Sequence, residues 1–126
     1  MLINWELTVF ERLSGGSAKV LGFKIGEKIT GEDVHRMGAI MAEAIAASGK
    51  IRLLIEIEGF RHMEPNALLE KLKFAKDHAG NIERMAVLSD RVWIKSWLKV
   101  GGLLTHTEVE HFDRSEMEAA WEWVRQ

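Results

Sequence analysis

Ile51-Arg52-Leu53-Leu54-Ile55-Glu56-Ile57-Glu58-Gly59-Phe60 is a mostly apolar, β-branched-rich run that closes on a glycine. With a helical pattern on either side, such a run reads as a strand buried on both faces of a parallel sheet. The rest of the chain is placed by asking how it covers or extends this strand.

On the N-terminal side, residues 3–13 alternate. Ile3, Trp5, Leu7, Val9 and Leu13 fall on one face, and Glu6, Thr8 and Arg12 on the other. Period-two alternation marks a strand with one covered face. Ser14-Gly15-Gly16-Ser17 supplies a turn, because glycine reaches positive φ without a Cβ clash. Leu21, Phe23 and Ile25 continue the alternation, so the two strands read as an antiparallel hairpin. Thr30 then reads as an N-cap, with Glu32 and Asp33 near the positive end of the helix dipole. Val34, Met37, Met41, Ala44, Ile45 and Ser48 repeat at helical spacing up to Gly49, a C-terminal stop.

Beyond the central strand, Arg61-His62-Met63-Glu64 reads as a short connection. Pro65 suits the first turn of a helix. Leu68, Leu72, Ala75 and Ala79 form its buried stripe, Phe74 lies off that stripe, and Gly80-Asn81 stops it. Met85-Ala86-Val87-Leu88 reads as another short strand. A third helix covers 91–100, or runs on to Leu104 if Gly101-Gly102 does not break it. Its apolar residues Val92, Trp93, Ile94, Trp97, Leu98, Val100, Leu103 and Leu104 span roughly two-thirds of the circumference at about 100° per residue. One side packed on a sheet needs about half that arc. Glu108-Val109-Glu110-His111-Phe112 reads as an edge strand with protective charges. Ser115 with Glu118 reads as a capping box for a last helix striped by Met117, Ala120, Trp121 and Val124, with Trp123 pointing elsewhere.

The expected order is ββαβαβαβα. It forms one α/β domain over 1–126, with a mostly parallel sheet, an antiparallel first strand and four flanking helices. The length suits one core. A net charge of −2, with both signs dispersed, gives no electrostatic footprint for nucleic acid. The lack of cysteine excludes disulfides and thiolate chemistry. The N-terminus does not have the pattern of a signal peptide, and no run approaches the roughly 20 apolar residues that span a bilayer. The expectation is a soluble cytoplasmic protein.

Several segments together carry a resemblance. They are Val20-Leu21-Gly22-Phe23, Gly26, Ile29-Thr30-Gly31-Glu32-Asp33, Gly49 to Phe60, Leu72-Lys73-Phe74, Glu83-Arg84-Met85-Ala86-Val87 and Val109-Glu110-His111-Phe112. In this pattern the chain resembles the SpoIIAA-like family of bacterial STAS/SEC14-type single domains. The resemblance implies a sheet of four or five strands with helices, related to the anti-sigma-factor antagonist fold and reminiscent of lipid-binding SEC14 domains. Fold alone does not fix function. In anti-sigma-factor antagonists the loop after the central strand carries an acidic residue and adjacent serines, one of them phosphorylated. Here Glu64 matches the acidic position, while Pro65 and Asn66 stand where the serines would be. Neither can carry a phosphate ester, so the resemblance does not extend to a phospho-switch at that site.

Two functional readings follow. In the first, the chain is a non-enzymatic binding or regulatory domain without a cofactor. Trp93, Ile94, Trp97 and Leu98, with Phe74 nearby, offer more apolar area than one sheet face hides. Such patches mark contacts with a protein partner, a second copy, or an apolar lipid-like ligand. The competing explanation is that both faces of that helix are buried. In the second reading the chain is a small hydrolase or metal-dependent enzyme. His62 with Glu58, Glu64 and Asp90 would lie near the carboxyl ends of neighbouring strands, where open α/β sheets bind ligands. No His-Glu-x-x-His spacing supports a metal there, and solvated loop residues explain the same pattern. His106 and His111 are close in sequence but fall on different elements or opposite faces. The Rossmann glycine fingerprint, a P-loop and a Gly-x-Ser-x-Gly elbow are all missing from the sequence.

Overall fold

The structure, a computed structural model, describes residues 10–13, 15–26, 28–57, 62–63, 80–89 and 107–126, with backbone alone for Phe10, Lys28, Ile29, His62 and Met63. Strand β1 (Phe10–Arg12) and strand β2 (Val20–Ile25) form the expected antiparallel hairpin, with Phe10 opposite Ile25 and Arg12 opposite Phe23. Strand β3 (Lys28–Ile29) follows, then helix α1 (Gly31–Ser48) and the central strand β4 (Ile51–Ile57). Strand β5 (His62–Met63), strand β6 (Ile82–Leu88), strand β7 (Glu108–Phe112), a 3-10 turn at Arg114–Glu116 and helix α2 (Met117–Arg125) complete the described elements.

The main sheet has five strands in the order β1-β2-β4-β6-β7, and β4 is its middle strand. After the antiparallel β1, all pairings are parallel. The sheet therefore follows the order and direction read from the sequence. The expected helices at 65–79 and 91–104 lie outside the described residues. One element was not anticipated. His62–Met63, read as plain connection, pairs in parallel with Lys28–Ile29 as a separate two-stranded ladder. Two-residue strands are too short to show a period, so no sequence pattern announces them.

The sheet has a core on each face. On one face, Leu21, Phe23, Ile25, Ile51 and Leu53 pack against Met37 and Met41 of α1. On the other, Val20, Leu54, Ala86 and Leu88 pack against Ala120 and Val124 of α2. Successive side chains of a strand point to opposite faces. In β4, Ile51 and Leu53 thus serve α1, while Leu54 serves α2, as the continuous apolar run requires. Strand β2 behaves the same way. Its alternation of Leu21, Phe23 and Ile25 suggested one covered face, but Val20 and Gly22 are buried too, because Trp121 of α2 covers them. Full burial of a side chain such as Phe23 is worth about 1.5–3 kcal/mol. Strand β6 contains an irregularity. Ile51 pairs with Ile82 and Arg52 with Arg84, so one extra residue, Glu83, enters the ladder. The bulge lets Ile82 and Met85, an odd spacing apart, both pack on the α1 side.

Helix α1 starts as its sequence predicts. The Thr30 hydroxyl accepts from the Asp33 amide at 3.1 Å, and the Asp33 carboxylate accepts from the Thr30 amide at 3.1 Å, a reciprocal capping box. The helix stops at Gly49, whose φ of 84° disfavours any residue with a Cβ and whose amide donates to the Ile45 carbonyl. Ser48, assigned to the buried stripe, is exposed, and Asp33 is buried instead. The start of the last helix also differs from the reading. Asp113, not Ser115, caps the 3-10 turn that leads into α2, its amide donating to Glu116 Oε1 at 2.8 Å, and Glu116 stands at the N-cap position of α2. Asp113-x-x-Glu116 and Ser115-x-x-Glu118 fit the same pattern. The 3-10 turn begins directly after β7, which selects the earlier pair.

Candidate functional site: the two edges of the parallel sheet

Strands β2, β4, β6 and β7 run the same way, so the sheet has a carboxyl edge and an amino edge. Ligands of open α/β sheets bind outside the carboxyl edge. Here that edge carries the capped start of α1, the β3–β5 ladder, Glu56 near the end of β4, Ser89 after β6, and the 3-10 turn after β7. The Glu56 carboxylate is buried, and Arg114 meets it with both Nε and Nη2 at 3.3 Å from Oε2. A carboxylate taken out of water needs a partner, and the guanidinium fork supplies two donors to one oxygen. The pair ties the turn that launches α2 to the central strand. Ser89 is also buried, and its amide donates to the Phe112 carbonyl at 3.1 Å, which closes the ends of β6 and β7 together. At the α1 start, Arg36 Nη2 reaches Asp33 Oδ1 at 3.0 Å and completes the cap network.

Of the residues singled out for acid–base or metal chemistry, His62 is placed by its backbone at this edge, opposite Lys28. Glu58, Glu64 and Asp90 lie outside the described residues, so their meeting with His62 is not on view. Trp93, Ile94, Trp97, Leu98 and Phe74, the proposed contact surface, lie outside them as well, as does His106. His111 is in β7. Its Nε2 is buried and has no hydrogen-bond partner among the described residues. Among those residues, too, no helix is long and apolar enough to cross a membrane.

The amino edge holds a second constellation that the sequence reading missed. Helix α2 runs back across the far face and ends here. The last carbonyls of a helix run short of helical donors and carry partial negative charge, and here the Trp123 carbonyl takes the Gln126 amide. Arg52 Nη1 donates to the Val124 carbonyl at 3.0 Å, and Arg84 Nη1 donates to the Trp123 carbonyl at 2.8 Å. Arg84 also lies over the Trp123 ring, 5.0 Å from its centroid, and that ring contacts Phe112. Trp123 is therefore part of the far-face core rather than pointing away from it. Arg52 Nε donates to Glu83 at 3.2 Å, and this bond holds the Glu83 carboxyl below the usual carboxylate range, with Lys19, 3.7 Å away, adding to the effect. A third arginine, Arg125, donates to the Gly15 carbonyl at 2.7 Å and lies over the Trp121 ring, fastening the hairpin turn to α2. One signal for this cluster was present. Arg52 and Glu56 interrupt an apolar strand at positions of the same parity, so both point to the α2 face.

A small α/β domain with a mixed five-stranded sheet and a helix on each face is the class that these contacts define. The chain belongs to the SpoIIAA-like family, whose model matches residues 20–125. Among solved structures it is similar to an uncharacterized protein of the DUF3478 family with a SpoIIAA-like fold from Shewanella loihica PV-4. That similarity has a TM-score of 0.71 at 25% identity, covering 91% of this chain and 89% of that one. It also shares its fold with the anti-sigma factor antagonist SpoIIAA in its unphosphorylated form, with a TM-score of 0.58 at 13% identity over 92% of this chain and 97% of that one. No curated protein matches the sequence.

Proposed function

We propose that this chain is a non-enzymatic binding and regulatory domain. It engages a protein partner or an apolar, lipid-like ligand through Trp93, Ile94, Trp97 and Leu98, with Phe74 beside them. The observation that carries this reading is the SpoIIAA-like match over residues 20–125. It is supported by a sheet of the kind found in a protein that works by antagonising another protein, an anti-sigma factor. The contact residues come from the sequence, where two indoles and their aliphatic neighbours exceed the arc that one sheet face covers. Pro65 and Asn66 set this domain apart from a phospho-switched antagonist, so its binding is governed by partner concentration rather than by a phosphate at that loop.

The test compares wild-type protein with a Trp93→Ser/Trp97→Ser variant of equal circular dichroism and Tm. Sedimentation over a concentration series reports self-association. Phosphatidylcholine vesicles report lipid binding through tryptophan emission, and immobilised protein reports partner capture. Wild type responds in at least one of these and the variant loses that response. Indistinguishable behaviour in all three counts against the reading.

A further inference from the structure

We infer that the outer edge of β7 is a docking site for an extended basic strand of a partner protein, one that alternates Lys or Arg with apolar residues and lengthens the sheet. Strand β7 ends the strand order, and among the described residues nothing pairs with its outer side. Its backbone polarity follows from one bond. The Phe112 carbonyl accepts from Ser89, so Phe112 faces inward toward β6. Successive residues of a strand present their backbone groups alternately to the two sides. Glu108 and Glu110 therefore also bond inward, and Val109 and His111 hold their N–H and C=O groups outward. Unpaired edges of this kind template another strand.

The side chains decide which strand. Glu108 and Glu110 are exposed and share the α2 face with Phe112. Among the described residues Glu108 has one cation nearby, Arg84 Nε at 3.5 Å. Glu110 lies in register with Ala86, which offers none, and among the described residues no cation pairs with it. The exposed Asp113 adds a carboxylate just beyond the strand. A second copy is a poor occupant. Antiparallel self-pairing centred on Glu110, the register that uses all of β7, sets Glu110 against itself, while centring on Val109 or His111 pairs only three residues of β7 and at Val109 sets Glu108 against Glu110. Like charges directly opposite destabilise a pair, whereas opposite charges stabilise it by about 0.2–1 kcal/mol. A strand with cations at alternate positions meets Glu108 and Glu110 on one face and sets apolar residues beside Val109 and His111 on the other. The antiparallel orientation is favoured, being slightly the more stable. This inference rests on residues 108–113 alone, and neither proposal depends on the other.

The experiment titrates 15N-labelled full chain with an acetylated and amidated Lys-Val-Lys-Val-Lys-Val-Lys peptide. Controls are the same peptide with Glu for Lys, and a peptide of the same composition with the lysines grouped at one end. The alternating cationic peptide is expected to shift the amides of residues 108–112, to slow hydrogen exchange at Val109 and His111, and to bind more weakly as salt rises. Glu110→Lys is expected to weaken it roughly tenfold, through loss of attraction and added repulsion. Val109→Pro, which deletes an outward N–H that the sheet does not use, is expected to abolish exchange protection at His111 while leaving the far-UV spectrum unchanged. If Val109→Pro unfolds the chain, Glu110→Lys alone decides. Equal binding of either control, shifts that avoid β7, no binding at millimolar peptide, or dimerisation through β7 would each overturn the inference.

Discussion

Gly22 and Trp121 are 99 positions apart in a chain of 126 residues, yet the Trp121 ring occupies the space that a side chain at position 22 would need. A Cβ built on Gly22 would sit 2.6 Å from Trp121 Cη2 and 3.2 Å from Leu13 Cβ. Such approaches force a rigid ring to move, and overpacking of this kind costs about 1–3 kcal/mol. Gly22→Ala is therefore expected to lower the unfolding free energy, read from denaturant titration, by that amount, and Trp121→Leu in the same chain to recover part of it. Glu83 makes a different residue-level prediction. Its folded pKa is depressed by Arg52 first and by Lys19 as well. A depressed carboxylate contributes stability that is complete above its unfolded pKa and is lost as pH falls through the folded one. Glu83→Gln is expected to be less stable than wild type at neutral pH, with the gap closing as pH drops below the ordinary carboxylate range. Denaturant titrations across that range check this. Because the pair is partly exposed, added salt narrows the gap at neutral pH.

Helix α2 has nine residues, too few to be stable alone in water. It persists because both its ends and one face are held. Asp113 and Glu116 cap its approach, Arg114 anchors that approach to Glu56, and Ala120 and Val124 bury its face. At its far end, Arg52 donates to the Val124 carbonyl, and Arg84 adds a second donor to the Trp123 carbonyl, which also accepts from the Gln126 amide at 3.2 Å. Arg84→Met keeps the aliphatic stem over Trp123 but removes the donor. It is expected to cost about 0.5–1.5 kcal/mol, the net worth of one hydrogen bond, because the Trp123 carbonyl keeps the Gln126 amide as a donor. Amide exchange in 117–125 should accelerate more than exchange in β4. Equal acceleration everywhere would mean that the arginine supports the whole fold rather than this helix end. The helix itself was legible from Met117, Ala120, Trp121 and Val124, whose spacing is helical. Its start was misread by one residue, Glu116 rather than Ser115 standing at the N-cap, because two overlapping Asp/Ser-x-x-Glu patterns compete and the earlier one opens a 3-10 turn.

For the molecule as a unit, the proposed binding role is independent of phosphorylation at the loop after the central strand, because Pro65 and Asn66 cannot carry a phosphate ester. Protein isolated from its native cells is expected to carry no phosphate on the peptide spanning 62–68. A phosphopeptide from that stretch, seen by mass spectrometry, would sink this reading. The architecture was readable in advance because periodicity is local. Ile51 to Ile57 is apolar at every odd position and carries Leu54 on the other parity, so both faces called for cover. Thr30-x-x-Asp33 and Gly49 mark helix ends through bonds that reach only a few residues. The His62–Met63 ladder, the bulge at Glu83 and the arginine clamp on α2 carried no such mark. Arg114 meets Glu56 across 58 positions, and Arg52 meets Val124 across 72. Those meetings depend on how strands slide into register and on which face each parity then presents. Short-range pattern thus settled the number, kind and direction of the main strands, while the pairing of charges waited on the assembled sheet, because a charge chooses its partner by distance in space and not by spacing along the chain.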